Sequence, residues 1–146
     1  MIYINNAPFG DKSFPNGETI FDMGTYYVKD AVNEIKLVYE SDADIFKLIV
    51  AKKCLDKQSK ENRVDYGWDK AIITLTIAYM PYSRMDRQMS SMAFSLRYVA
   101  DIINSLNFDL VTILTPHSNV TPALINNVKV IYDAGIQEVY RRSAPD

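Results

Sequence analysis

Cysteine is almost absent: Cys54 stands alone in 146 residues. A lone cysteine excludes an internal disulfide and a cysteine zinc cluster, and it fits a reduced, cytoplasmic setting. Cys54 itself reads as a small apolar filler on a helix rather than a nucleophile. Long apolar runs are also missing. None approaches the ~18 residues of a membrane span. The start, Met1-Ile2-Tyr3-Ile4-Asn5, lacks the basic and long apolar regions of a signal peptide. Nor does charge of one sign dominate. A net charge of −2 and a pI of about 5.4 argue against non-specific binding to nucleic acid or an anionic membrane. Both need a basic surface, although a local basic pocket remains compatible with this balance. No repeat, low-complexity tract or linker divides the chain.

What is present suits one globular domain over residues 1–146. At about 150 residues roughly 70% of the unfolded surface can be buried, which is enough for a single core. Residues 2–5 alternate as a short strand, and Pro15-Asn16-Gly17 carries turn chemistry. A strand is expected at 35–39. Ser41-Asp42-Ala43-Asp44 then resembles a capping box, a side-chain oxygen followed by an acid three residues on. Behind it Ile45, Leu48, Ile49 and Leu55 keep helical spacing to about Lys57. The polar stretch 56–69 has no period and reads as a surface loop.

Residues 71–79, AIITLTIAY, are apolar and β-branched nearly throughout, as in a strand buried on both faces. Phe94, Leu96, Val99, Ile102, Ile103 and Leu106 mark an amphipathic helix with Asn107 as its stop. Further strands are expected at 110–115 and 128–132, a helical turn at 122–126, and a last helix at 134–142. This alternation predicts an α/β fold: a mostly parallel sheet with helices on both faces. Ligands of such folds sit beyond the carboxyl ends of the strands.

Two loops occupy that position. Tyr79 to Gln88 (YMPYSRMDRQ) follows one strand and Pro116-His117-Ser118-Asn119 the next. A parallel sheet brings Arg84, Asp86, Arg87 and His117 toward one crevice. Two guanidiniums present forked donors to phosphate oxygens. His117, the one histidine, can meet a phosphate or a metal. A carboxylate such as Asp86 can hold Mg²⁺ through water. On spacing alone the plainer reading is preferred, a solvated loop whose ion pair is worth ~0–1 kcal/mol, with a structural histidine after a strand.

The order of motifs tips that balance. Tyr79-Met-Pro-Tyr-Ser-Arg-Met-Asp-Arg-Gln88 resembles the PYxRQDR loop of ribose-phosphate pyrophosphokinases, also called phosphoribosyl pyrophosphate synthetases. Phe94-Ser-Leu-Arg-Tyr-Val-Ala-Asp-Ile-Ile103 stands where that family has a helix of the type SAKLVADLL. Thr115-Pro116-His117 stands at the family's DLH, and Phe14-Pro-Asn-Gly-Glu18 is similar to its FxDGE motif. The resemblance runs over essentially the whole chain and is strongest from 79 to 131. It implies a phosphoribosyltransferase-like domain of type I, the amino-terminal half of such an enzyme.

That resemblance also implies roles. Phe14 would pack on adenine, and Asn16 and Glu18 would bond its edge, from a neighbouring copy in a homo-oligomer. Arg84 would meet the phosphates of ATP, with Asp86 and Arg87 lining the same loop. His117 would lie at the triphosphate and its Mg²⁺. The family reaction moves the diphosphoryl group of ATP to the 1-hydroxyl of ribose 5-phosphate. Positioning and charge neutralisation dominate such chemistry, and no covalent nucleophile is needed.

The sequence departs from the family in four places. Met85 replaces a glutamine, Thr115 replaces the acid of DLH, and Pro122 falls where glutamine is common. The chain also stops at Ser143-Ala-Pro-Asp146, where the family's second half begins. No pair of adjacent acids followed by Thr-Gly-Thr is present, so the loop that would bind ribose 5-phosphate is absent from this chain. The expectation is an ATP-binding half that is inactive alone and takes ribose 5-phosphate only with a carboxyl-terminal half. A non-catalytic associated subunit and a stand-alone nucleotide-binding module are the alternatives.

Overall fold

The computed structural model describes residues 1–24 and 26–132. The helix expected at 134–142 and the segment at 143–146 lie outside the described residues. Among the described residues, six strands form one sheet, in the order β2-β1-β5-β6-β7-β8. These are β1 (Ile2–Ile4), β2 (Ala7–Phe9), β5 (Val32–Leu37), β6 (Ile72–Ile77), β7 (Leu110–Leu114) and β8 (Val128–Ile131). A separate hairpin pairs β3 (Lys12–Ser13) with β4 (Thr19–Ile20). The helices are α1 (Ala43–Tyr66), α2 (Ser95–Ser105) and α3 (Val120–Leu124). The α/β class and the mostly parallel sheet match the sequence-based expectation: β5, β6, β7 and β8 run parallel, and β1 is antiparallel to both its neighbours.

Two details differ. The strands are not buried on both faces. In β6 the buried positions alternate, with Ile73, Leu75 and Ile77 facing the core. The intervening Thr74 and Thr76 share the other face with Glu34 and Lys36, and Thr76 Oγ1 donates to Glu34 Oε2 at 3.0 Å. Leu48, Ala51 and Leu55 of α1 and Leu96, Val99 and Ile103 of α2 join the same core as those isoleucines. Asn104 of α2 in turn donates to the Leu124 carbonyl of α3 at 2.8 Å. The described helices therefore lie on one face rather than both. The cause is topological: β5 to β8 are added in sequence order in one direction, and right-handed crossovers then put every connection on the same side.

Helix α1 is the second difference. It runs to Tyr66, through most of the stretch expected as a loop. Its second half has no apolar period because it packs little, yet its residues are good helix formers with support at i, i+4 from Lys52–Asp56 and Lys57–Glu61. Gly67 ends it in the left-handed region, at φ 66°, and donates its N–H to the Arg63 carbonyl. The capping box forms by half. Asp44 reaches back to the N–H groups of Glu40 and Ser41, while no side chain caps the start of the helix.

The register decides what shares an end. Ile2 pairs with both Phe9 and Leu37, so β2 points the same way as β5 and finishes level with it. The hairpin after β2 thus leaves the sheet at the end where β5, β6 and β7 also finish. Among the described residues, no helix is long and apolar enough to cross a membrane.

Candidate functional site

Three loops and one hairpin meet at the carboxyl end of the strands. The loop from Val38 to Asp42 follows β5 and is tied down from below. The Met1 ammonium donates to the Val38 carbonyl at 2.7 Å and to Asp44 at 2.8 Å. Asp44 is 2% exposed. Burial pushes its carboxyl up, but the ammonium and the N–H donors of Glu40 and Ser41 outweigh this and hold it below its ordinary value.

Asp42, exposed at the rim, joins this loop to the one after β6. Tyr82 Oη donates to Asp42 Oδ1 at 2.6 Å, and Tyr39 Oη donates to the same oxygen. The two hydroxyls, Tyr39 first and Tyr82 second, hold the Asp42 carboxyl low. Burial, followed by the bond to Asp42, pushes the Tyr39 phenol up. The Tyr82 phenol rises chiefly through its bond to Asp42. A cleft of about 510 Å³ opens here, lined by Tyr39, Asp42, Tyr79, Tyr82, Arg84 and Met85 among others.

The loops after β6 and β7 are joined as well. Ser118 Oγ donates to Asp86 Oδ2 at 2.8 Å. That bond draws Asp86, with Arg84 and Arg87 on either side, to the segment that carries His117. Arg84, Arg87 and His117 are exposed and Asp86 is half-buried. Both loops carry side-chain-bearing residues in the left-handed region: Tyr82 at φ 62° and Thr115 at φ 46°. Such conformations cost of order 1–3 kcal/mol and cluster where a loop must be aimed. At Thr115 the backbone N–H is fixed by the Ile131 carbonyl at 2.8 Å.

Phe14, Asn16 and Glu18 occupy the turn of the β3–β4 hairpin. Phe14 N–H donates to the Glu18 carbonyl at 2.8 Å, and Asn16 Oδ1 accepts from Glu18 N–H at 3.1 Å. Gly17, at φ 92°, makes the reversal. Phe14 is 50% exposed, and Asn16 and Glu18 are also exposed. The hairpin is anchored beside α1 through Phe21, which packs on Phe9 and Phe46 with ring centroids 5.5 and 5.8 Å apart. The seven residues singled out by sequence thus emerge at one end of the sheet in two groups: the hairpin at the β2 side, and Arg84, Asp86, Arg87 and His117 over β6 and β7.

Sequence reasoning missed Tyr39, Asp42, Tyr82 and Ser118. Three tyrosines at strand ends, Tyr39, Tyr79 and Tyr82, were a usable signal for the cleft. The partnership of Asp42 with a residue 40 positions away was not. Among the described residues, no group of three or more His, Cys, Asp or Glu could hold a metal ion unaided.

No family model matches this chain, and no curated protein matches it by sequence. Among solved structures it is similar to phosphoribosylpyrophosphate synthetase from Mycobacterium smegmatis, with a TM-score of 0.63 and 19% sequence identity. The match covers 90% of this chain and 42% of that one, so this chain spans less than half the length of its structural neighbour. At that identity the likeness establishes a shared fold.

Proposed function

We propose that this chain is the ATP-binding amino-terminal half of a ribose-phosphate diphosphokinase. Its fold is that of a phosphoribosylpyrophosphate synthetase over 90% of its length. The observation that carries the reading is the Ser118–Asp86 bond, 2.8 Å long, which couples the two strand-end loops bearing Arg84, Arg87 and His117. Forked guanidinium donors and an imidazole N–H on one rim suit the oxygens of a triphosphate. Mg²⁺ would arrive with the nucleotide. It keeps several waters and needs only one or two carboxylates beside phosphate oxygens, which fits a rim that offers Asp86 and His117 but no complete cage. The exposed Phe14 ring, with Asn16 and Glu18 beside it, supports packing on an adenine held by a second copy in a homo-oligomer.

Calorimetry with Mg–ATP tests this. Saturable binding is expected, weakened by Arg84→Ala and by His117→Ala. Absence of binding by a folded chain would sink the proposal. In a coupled assay with ribose 5-phosphate the chain alone is expected to release no AMP, and activity is expected only when a carboxyl-terminal half is supplied. A second reading, a non-catalytic associated subunit, is favoured by one feature: Thr115 brings a hydroxyl and a methyl beside His117 where the family has an acid. It predicts retained self-association without ATP binding.

A further inference from the structure

The opposite end of the molecule carries a second site of different make. Helix α1 has 24 residues and is about 36 Å long. The six-residue strands β5 and β6 span only about 20 Å. The helix therefore overshoots the sheet at the amino end of the strands. Between this overhang and the end of α2 lies a cleft of about 400 Å³. Five cations line it, Lys52, Lys53, Lys60, Arg63 and Lys70, against one acid, Asp56, in a chain whose net charge is −2.

The local pairing leaves most of that charge uncompensated. Lys52 is 4% exposed, and its Nζ holds both Asp56 oxygens at 2.6 and 2.7 Å and lies 5.5 Å from the Phe108 ring centroid. Asp56 is thereby neutralised. Lys53, Lys60, Arg63 and Lys70 are exposed and have no ion-pair partner among the described residues. Cations near helix carboxyl ends often only offset the macrodipole. Two such ends meet here, each carrying roughly −0.5 charge, so four free cations leave a surplus of about three. Ser59, Ser105 and Asn107 add polar lining.

We propose that this cleft binds a phosphate-chain anion, a di- or triphosphate group, independently of the strand-end loops. Lys53 and Arg63 lie about 15 Å apart along the helix axis, which suits an elongated anion better than a single phosphate. The exposed rings of Tyr66 and Trp68, with centroids 5.6 Å apart, follow Arg63 at the end of α1 and offer a stacking surface to a base attached to that chain of phosphates.

Trp68 is the single tryptophan and sits two residues from Lys70, which lines the cleft, so its fluorescence is a probe of this end of the molecule. The test uses the Arg84→Ala/His117→Ala double variant, which removes any contribution from the proposed ATP loops. If that ATP reading is wrong, the background costs nothing. Titration with inorganic tripolyphosphate, and separately with ATP, is followed by fluorescence and calorimetry at constant ionic strength. Saturable binding in either arm is expected, with tighter binding of ATP assigning the base to the aromatic pair. Adding Lys60→Glu/Arg63→Glu is expected to weaken it about tenfold or more. If circular dichroism finds that variant unfolded, Lys53→Gln/Lys70→Gln carries the same expectation. No binding in either arm, an equal response to sulfate, or binding that survives loss of the cations overturns the proposal.

Discussion

The two ends of the parallel sheet are built from opposite materials. At the carboxyl end, the loops carry Arg84, Arg87 and His117 and are heavily cross-linked. Asp44 gathers the Met1 ammonium and two backbone N–H groups, Asp42 gathers two tyrosines, and Asp86 gathers Ser118. At the amino end, the overhang of α1 is rich in charge and poor in partners. The first arrangement fixes a few functional groups in place. The second offers a field. The difference teaches that a site can be made by positioning or by charge density, and that mutations should act differently on each.

The largest expected effect separates the ends by ligand. Loss of a charge-assisted bond to a phosphate is worth about 1.5–3 kcal/mol, or roughly ten- to a hundredfold in affinity. Arg84→Ala is therefore expected to weaken Mg–ATP by that factor in calorimetry. Lys60→Glu/Arg63→Glu should leave Mg–ATP at the strand-end loops within about twofold. Equal losses from both variants would break the comparison.

Next in size is the anchor under the carboxyl end. Asp44→Asn removes the buried partner of the Met1 ammonium, and breaking a buried charge pair typically costs about 3–5 kcal/mol. Because Met1 is only part-buried, with its side chain 36% exposed, water softens the loss, and about 2–3 kcal/mol is expected in denaturant unfolding. The sign with pH follows from the lowered Asp44 carboxyl. Its contribution is fully present above the ordinary value of 3.8 and is lost as pH falls through the lower folded value. Wild type should lose more stability over that window than Asp44→Asn. Identical acid limbs for the two proteins would contradict the role assigned to Asp44.

At the amino end the matching test is smaller. Gly67 has open space around a Cβ but sits at φ 66°, so Gly67→Ala costs about 1 kcal/mol through backbone strain alone. A drop of about 2–4 °C in Tm is expected, with Mg–ATP affinity at the strand-end loops unchanged.

How much of this was legible follows the same division. The helix at α2 and the strands β6 and β7 announce themselves by apolar spacing, because each buries one stripe or one face. The second half of α1 does not, since a charged helix that overhangs the sheet has no stripe to bury. Strands β2 to β4, of two or three residues each and mostly exposed, carry too little pattern to read. The strand-end loops were found because the parallel topology predicts where they end. The cross-links Asp42–Tyr82 and Met1–Asp44 were not, because each joins residues that only the folded chain brings together.

The finest test addresses those cross-links. Both Tyr39 and Tyr82 donate to Asp42, and both hold its carboxyl low, Tyr39 the more strongly. Carbon-detected NMR titration of Asp42 should therefore give a midpoint that rises in Tyr82→Phe and rises further in Tyr39→Phe. Stability need hardly change, because Asp42 is exposed. What should change is the aim of the loop. Tyr82 holds a left-handed backbone two residues before Arg84, and its hydroxyl is the tether. Mg–ATP affinity is expected to fall a few-fold in Tyr82→Phe and to stay unchanged in Tyr39→Phe, which leaves that tether intact. If both variants move the titration but neither moves the affinity, the clasp organises the rim without directing Arg84, and positioning at the carboxyl end rests on the Ser118–Asp86 bond instead.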